Sequence, residues 1–486
     1  MAVVNDQDIV GRITGLSADS RAVKPGYLFA ALPGSAVDGR DYIPDAVRNG
    51  AAVILASEGT VLPESARAAG VMLVTDARPR RAFALMAAQF YGYQPKTIAA
   101  VTGTNGKSST VHFVRQLWEA LGYRAASLGT LGIEGTGVKR TGSMTTPDPV
   151  TLHAELAALV AEGITHLAME ASSHGLDQYR LDGVRVKAAG FTNLSRDHLD
   201  YHKDMDAYRA AKARLFTEIL EPDGIAVLNA DVPEYETLEH ICKERQIRII
   251  AYGRAAGVSG LRLVSLEPLV HGQEIEIEFE GMAKKFVLPL IGEFQAMNTL
   301  CALGLVVAER PDDAVHMERV LKALETLKPV PGRLQPVSGH PSGAAVYIDY
   351  AHTPDALSHA LGALRPHTDG RLVCLFGCGG DRDHGKRPLM GEVAVKLADQ
   401  VIVTDDNPRS EDPASIRREI LSGAPGALEV EGRAKAIQVA LEGLEAGDVL
   451  LIAGKGHERG QIFADRTEPF DDVEEAEKAI GRLKRS

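Results

Sequence analysis

At 486 residues the chain is too long for one hydrophobic core, so several domains are expected. Its 45% hydrophobic and 24% charged content is that of a globular protein in water, and no apolar run is long enough to span a membrane. A net charge of −12 argues against sequence-independent binding along nucleic acid, which needs a basic face, but leaves room for a local basic pocket.

The opening "MAVVNDQDIV" lacks the basic start and apolar stretch of a secretory leader, so a cytoplasmic protein without membrane insertion is expected. The cysteines Cys242, Cys301, Cys374 and Cys378 form no C-x-x-C pair. Cys374 and Cys378 have the alternative of ligating a metal, but Cys374 sits in an apolar strand pattern and buried thiols are the better reading. The helical run "RAFALMAAQF" ends at "YGYQPKT" (Tyr91 to Thr97), whose glycine and proline mark the first link.

Next comes "TIAAVT", a buried-strand composition, and then "GTNGKSST". Val114, Leu117, Trp118 and Leu121 fall on one helical face, with Gly122 as the stop. A glycine-rich turn between strand and helix aims backbone N–H groups at one point, where the helix N-terminus adds positive potential. Lys107 can reach phosphate oxygens and Ser108 can offer a hydroxyl to Mg²⁺. The alternative is a plain strand–turn–helix corner, since Val101 stands where the general nucleotide loop has its outer glycine.

Farther along, short apolar strands run straight into polar clusters. "HLAMEASSHG" ends in Glu170, Ser172, Ser173 and His174; "AAGFTNLSRDHLDYH" ends in Asn193, Asp197, His198, Asp200 and His202. After a second link, "LKPVPGR" (Leu327 to Arg333), the pattern returns in "AVYIDYAHTPD", "LVCLFGCGGDRD", "QVIVTDDNPRS" and "DVLLIAGKGHE". Strands alternating with helices mean parallel α/β sheets, which bind ligands at their strand carboxyl ends. Three domains are expected, at 1–92, 93–328 and 329–486, with substrates enclosed by domain closure.

Taken together these motifs resemble the Mur ligases, the ATP-dependent peptide-forming enzymes of peptidoglycan assembly. "TGTNGKSS" resembles their phosphate loop, "NLSRDHLDYH" their Mg²⁺ segment, and "YRAAKARLF" the stretch with their carbamoylated lysine, here Lys212. "GEFQAMNTLCA", "VPGRLQ" and "DYAHTPDAL" resemble the adenine, hinge and ATP segments, and "DSRAVKPGYLFAALPG" the start of the first domain. The fold implied is a small N-terminal α/β UDP-binding domain, a central P-loop ATPase-like parallel-sheet domain and a C-terminal Rossmann-like domain. "TTPD" and "SSHGLDQYR" look like the members that add the third peptide residue, and "DNPR" like the type that takes meso-diaminopimelate.

The resemblance implies that a glutamyl carboxylate attacks the ATP γ-phosphate and that the resulting acyl phosphate is taken by the incoming amine. ATP would contact Gly103, Thr104, Asn105, Gly106, Lys107, Ser108, Ser109, Asn298, Arg333 and Asp349. Gln295 stands where the family usually has asparagine. Lys107, Glu170, His198 and Lys212 would carry catalysis, with Ser108, Glu170, His198 and carbamoylated Lys212 around Mg²⁺. Taken alone, Lys212 reads as a solvated helix lysine. UDP-MurNAc-L-Ala-D-Glu would meet Ser20, Ser35, Ala36, Val37, Thr145, Thr146, Ser172, Gln178 and Arg180. Diaminopimelate would meet Arg382, Asp406, Asn407, Pro408, Arg409, Gly454 and Glu458. A monomer is expected. The rivals are a lysine-adding ligase, folylpolyglutamate synthase, which lacks a comparable first domain, and an ATP-hydrolysing switch.

Overall fold

A computed structural model describes residues 9–34, 37–142, 144–198, 201–257, 260–269, 272–279, 281–310 and 312–484. The chain packs as two compact units, residues 1–251 with 301–317 and residues 252–300 with 318–486.

The first unit opens with four parallel strands in sequence order, β1 (Gly15–Ser17), β2 (Tyr27–Ala31), β3 (Val53–Ser57) and β4 (Met72–Asp76). The runs "YLFAA" and "VILA" carry no charged or strongly polar position because both sheet faces are covered. Phe29, Ala31 and Ile54 enter one core while Leu28, Ala30 and Leu55 enter the other, beside Phe83 and Met86 of helix Pro79–Tyr91.

A larger sheet follows, built on β5 (Thr97–Thr102), β6 (Ala125–Gly129), β7 (Gly132–Gly135), β8 (Val138–Arg140), β9 (His166–Glu170), β10 (Val186–Phe191) and β11 (Leu220–Asn229). Its order is β11-β10-β5-β9-β6-β7-β8, parallel through β6 and then antiparallel. Because β5 lies between β10 and β9, three adjacent strands end at the same edge. They deliver the glycine-rich loop, Glu170 and the Thr192–Asn193 pair. Helix Lys107–Ala120 buries Val114, Leu117 and Trp118 as its periodicity predicts, and Gly122 ends it in a left-handed turn at φ 92°.

β12 (Arg248–Gly253) leads into the second unit, where β13 (Leu261–Leu269), β14 (Gly272–Phe279) and β15 (Met282–Leu288) form an antiparallel meander. A six-stranded sheet uses β16 (Gln335–Val337), β17 (Ala345–Asp349), β18 (Leu372–Phe376), β19 (Gln400–Val403), β20 (Leu428–Glu429) and β21 (Val449–Ala453), in the order β16-β17-β21-β18-β19-β20. Only its first pairing is antiparallel. A hairpin of β22 (Gly460–Ile462) and β23 (Thr467–Pro469) follows.

The C-terminal helix Asp472–Leu483 is tied to this sheet by a fully buried pair, Arg433 with Asp472 at 2.6 Å, and Arg433 also donates to the Ala453 carbonyl at 2.9 Å. Removing one partner of such a pair costs about 3–5 kcal/mol, because the other charge is left buried alone. All four cysteines are buried, and burial pushes the Cys374 and Cys378 thiols up to about 12. Among the described residues no three His, Cys, Asp or Glu side chains form a ready metal cluster, and no helix is long and apolar enough to cross a membrane.

Candidate active site

The loop after β5 is shaped by two glycines. Gly103 (φ 151°) passes so close to the Thr192 hydroxyl that a Cβ there would overlap it, and Gly106 (φ 85°) turns the chain into helix Lys107–Ala120. Asn193 pins the loop, its backbone oxygen accepting from the Thr104 N–H and its side-chain oxygen from the Asn105 N–H, both at 2.9 Å. Helix geometry gives the first-turn N–H groups at Lys107, Ser108 and Ser109 no intrahelical acceptor, so positive potential gathers there. Lys107 folds over the loop, donating to the carbonyls of Gly103 at 2.9 Å and Thr104 at 2.8 Å.

Glu170, at the end of β9, is the hub of this unit. It is 1% exposed, and its Oε1 accepts from the Ser108 hydroxyl at 3.0 Å and the Thr130 N–H at 2.8 Å. The Thr130 hydroxyl lies 3.3 Å from Oε2 and 2.9 Å from the Thr145 hydroxyl. Thr146 donates to the Glu170 carbonyl at 2.9 Å and accepts from Ser172. Arg180 donates to the Thr146 carbonyl at 2.7 Å and to Gln178 at 2.8 Å. Thus Ser108, Glu170, Thr145, Thr146, Ser172, Gln178 and Arg180, scattered between positions 108 and 180, form one hydrogen-bonded row through Thr130. Thr130 and Gly129 were not singled out from the sequence, though "SLGT" is another strand end running into a hydroxyl.

A Cβ on Gly129 would overlap the Glu170 carboxylate. Gly129→Ala is therefore expected to displace the pinned Glu170 carboxylate and to lower turnover by about 10- to 100-fold. Comparing kcat with thermal unfolding checks this, since a folded protein with unaltered kcat would contradict it.

Lys212, on helix Met205–Arg214, is 1% exposed, which rules out a solvated lysine. Its Nζ donates to the Gly103 carbonyl at 2.6 Å and lies 4.4 Å from the centre of the Tyr208 ring. Burial, with the Lys107 charge, pushes its pKa well below the usual lysine value, favouring the neutral amine. Tyr208 was also missed as an individual residue. Its hydroxyl is 3.2 Å from that of Thr104, and its ring packs against His202 at 5.1 Å and His198 at 6.1 Å. His198 adopts a left-handed backbone (φ 53°), its Nε2 lies 3.5 Å from the Asp197 carboxylate, and its ring meets His174 at 5.0 Å.

In the first sheet's region Ser20 is buried and its carbonyl accepts from Asn49 at 2.9 Å; Val37 is exposed; Ser35 and Ala36 lie outside the described residues.

In the second unit Asn298 and Gln295 are buried on helix Glu293–Val307, with Asn298 donating to Gln295 at 3.3 Å. Asp349 is buried at the end of β17, and its two oxygens accept from the N–H groups of Leu334 at 2.7 Å and Ala351 at 2.8 Å. Burial pushes its carboxyl up, against the pull of Arg333 and those two amides. Arg333 stacks on Tyr350 at 4.7 Å.

The ends of β18, β19 and β21 gather the remaining candidates. Asn407 donates to Glu458 Oε2 at 2.8 Å, and the Arg409 guanidinium donates to the Gly380 carbonyl at 2.8 Å. Gly454 (φ 114°) packs so tightly on Asp406 that a Cβ would stand 2.7 Å from its Oδ2. Pro408 is buried, and Arg382 is exposed on the loop after β18. The unexpected member is Lys455, fully buried, whose Nζ donates to Asn407 Oδ1 at 2.9 Å, Glu458 Oε2 at 3.1 Å and the Gly460 carbonyl at 2.7 Å. A lysine two residues after the end of an apolar strand was the available signal. The cluster thus offers two arginines and a half-satisfied carboxylate, a surface suited to a zwitterionic amino acid.

Family models match in order along the chain: "Mur ligase family, catalytic domain" at 12–91, "Mur ligase middle domain" at 101–306 and "Mur ligase, glutamate ligase domain" at 332–456. The UDP-N-acetylmuramoyl-L-alanyl-D-glutamate–2,6-diaminopimelate ligase of Caulobacter vibrioides is 51% identical over 477 residues, covering 96% of this chain and 95% of that protein. The protein of the same name from Bradyrhizobium diazoefficiens is 51% identical over 473 residues, with the same coverage. A solved structure bearing that enzyme name superposes with a TM-score of 0.72 at 32% identity, covering 98% of this chain and 96% of the other.

Proposed function

Because the chain belongs to the Mur ligase family, we propose that it is the ATP-dependent ligase that joins diaminopimelate to UDP-N-acetylmuramoyl-L-alanyl-D-glutamate in peptidoglycan precursor synthesis. The observation that carries the reading is the placement of Glu170. A single buried carboxylate is bonded on one side to Ser108 of the phosphate loop and on the other, through Thr130, to the Thr145–Thr146 row. A ligase that brings a phosphate donor to a peptide carboxylate needs that adjacency.

Amide formation from a carboxylate is uphill in water, so the acid is activated first. The glutamyl carboxylate of the dipeptide substrate attacks the γ-phosphorus of ATP, giving an acyl phosphate and ADP. The amine of meso-diaminopimelate then attacks the acyl carbon, and phosphate leaves. Phosphoryl transfer depends on positioning and charge neutralisation more than on covalent help. Lys107 and the first-turn amides of Ser108 and Ser109 meet the phosphates, while Gly103 and Gly106 let the backbone approach. Asn298 takes the adenine edge, and Arg333 and Asp349 belong to the nucleotide's side of the site.

Mg²⁺ fits the oxygen donors present, for it takes one or two protein carboxylates and leaves its other positions to water and phosphate. Ser108, Glu170, His198 and carbamoylated Lys212 would hold it, and when bound it neutralises phosphate charge. The unprotonated amine of Lys212 would add carbon dioxide with loss of one proton, forming an N–C bond and giving a carboxylate-like anion. That change also prevents an ammonium from re-forming in a site that must attract cations. Thr145, Thr146, Ser172, Gln178 and Arg180 hold the muramoyl dipeptide, and Ser20 with the loop at Ser35, Ala36 and Val37 takes the uridine end.

Diaminopimelate differs from lysine by a second carboxylate at the distal end. Arg409, with Arg382, answers that carboxylate with a fork of donors, while Glu458 suits the neighbouring ammonium. Lysine would leave the arginines unpaired. Arg409→Ala is expected to raise the KM for meso-diaminopimelate by roughly 30-fold or more, the loss from truncating one partner of a desolvated charge pair. The KM for ATP should stay within a factor of about two, since uniform loss is expected only where contacts are lost. Steady-state kinetics with each substrate varied in turn provides the check; parallel increases for ATP and the amino acid would remove Arg409 from the specificity role.

A further inference from the structure

We propose that Arg387 is a positioning residue for amino-acid selection, its buried guanidinium clamping together the two loops that carry Arg382 and Arg409. The proposal rests on the assignment of those two arginines to diaminopimelate. Arg387 lies in the first turn of helix Lys386–Leu397, and its side chain is fully buried although its two carboxylate partners are partly exposed. It grips Glu411 in fork geometry, Nη1 to Oε2 and Nη2 to Oε1, each at 2.9 Å. It also donates to Glu419 at 2.9 Å and to the Gly379 carbonyl at 3.2 Å, and its Nη1 lies 2.9 Å from His384 Nδ1.

Those contacts join both arginine-bearing loops. Gly379 lies three residues before Arg382, and Glu411 lies two residues after Arg409. Glu411 Oε1 also accepts from the Asp381 N–H, so the carboxylate held by Arg387 fixes the neighbouring loop as well. Further bonds lace the loops together: the Gly380 N–H donates to the Asn407 carbonyl at 2.9 Å, and the Ser410 hydroxyl donates to Asp381 at 2.6 Å. Asp381 and Arg409 have φ of 53° and 51°, the left-handed conformation that residues with a Cβ avoid. Such backbone persists only where its surroundings over-determine it. Two arginines must converge on one carboxylate, and the strained residue at each loop lies at or beside the arginine it presents.

The helix does not need this charge for its own packing. Met390 and Ala394 bury its apolar side in the sheet's core, and a methionine has the length to occupy the position of Arg387 without a charge. Hence loss of the guanidinium should loosen the loops rather than the domain.

The test uses the full-length enzyme and the variants R387M and R387K. R387M is expected to raise the KM for meso-diaminopimelate about 10- to 100-fold and to narrow its advantage over lysine, with the KM for ATP within about twofold of the parent. R387K should fall between, because an ammonium reaches one carboxylate oxygen but cannot reproduce the fork. Hydrogen exchange in R387M should speed up at residues 379–382 and 407–411 and not in the sheet. A folded R387M with parental KM for diaminopimelate and parental exchange in both loops would overturn the proposal. If R387M does not fold, E411Q is read by the same two criteria with the same outcomes. An unmodified enzyme that fails to use diaminopimelate would instead overturn the ligand assignment, and the exchange measurement would still decide whether Arg387 clamps the loops.

Discussion

Replacing Lys212 with alanine is expected to lower ligation by at least about 100-fold, with part of the rate returning when a short-chain carboxylate such as acetate is added. The side chain is 1% exposed and donates to the Gly103 carbonyl at 2.6 Å. An ammonium in that place repels any cation the site recruits, whereas a carbamate attracts one. Acetate supplies a comparable anion to the space that alanine vacates. Alanine also leaves a void beside the Tyr208 ring, so unfolding should be followed alongside activity. An alanine variant that ligates at the parental rate would take Lys212 out of the mechanism. Absent rescue with activity lost would leave its importance intact and argue against the anion as the reason.

The second large effect concerns Glu170 and Lys107. Alanine at either position should reduce kcat by roughly 10²- to 10³-fold while changing the KM values little, because in the proposed reaction both groups would face charge that moves during phosphoryl transfer. For Glu170 a stability cost accompanies the kinetic one. Its removal strands the Ser108 hydroxyl and the Thr130 N–H, which it now satisfies at 3.0 and 2.8 Å, a penalty of about 1–3 kcal/mol for each buried group left unpaired. Lys107 donates to the loop carbonyls of Gly103 and Thr104, contacts between groups near the surface of the loop, so its alanine variant should unfold closer to the parental temperature than Glu170→Ala. Single-turnover measurements separate the chemical step from binding. Unchanged single-turnover rates in folded Glu170→Ala would remove that residue from the reacting centre.

Much of the architecture was legible because parallel sheets covered on both faces produce short apolar runs, and those runs stop at the strand carboxyl ends, the edge such sheets use for ligands. The loop at Gly103 to Ser109, the strand end at Glu170 and the "DNPR" and "GKGHE" segments were visible on that ground alone. The antiparallel pieces were missed, although "EIEIEF" of β14 alternates with period two and its even positions face the core. Attention to apolar runs hides such half-buried strands, since they carry charge at every other position. The burial of Lys212, Lys455 and Arg387 was not legible at all. A charged residue's burial depends on partners brought in from elsewhere, here Gly103 for Lys212, Asn407 for Lys455 and Glu411 for Arg387. Thr130 escaped for a related reason: its importance comes from Glu170, 40 residues away in sequence.

Phosphate release dependent on the added amino acid tests the central claim most directly. The enzyme is supplied with ATP, Mg²⁺ and UDP-N-acetylmuramoyl-L-alanyl-D-glutamate, and then with either meso-diaminopimelate or lysine. The account predicts rapid phosphate release with diaminopimelate, accompanied by a product heavier by one diaminopimelate residue, and little release with lysine or with no amino acid. Equal release with lysine would contradict the role given to Arg409 and Arg382, and release indifferent to any amino acid would contradict the ligase itself.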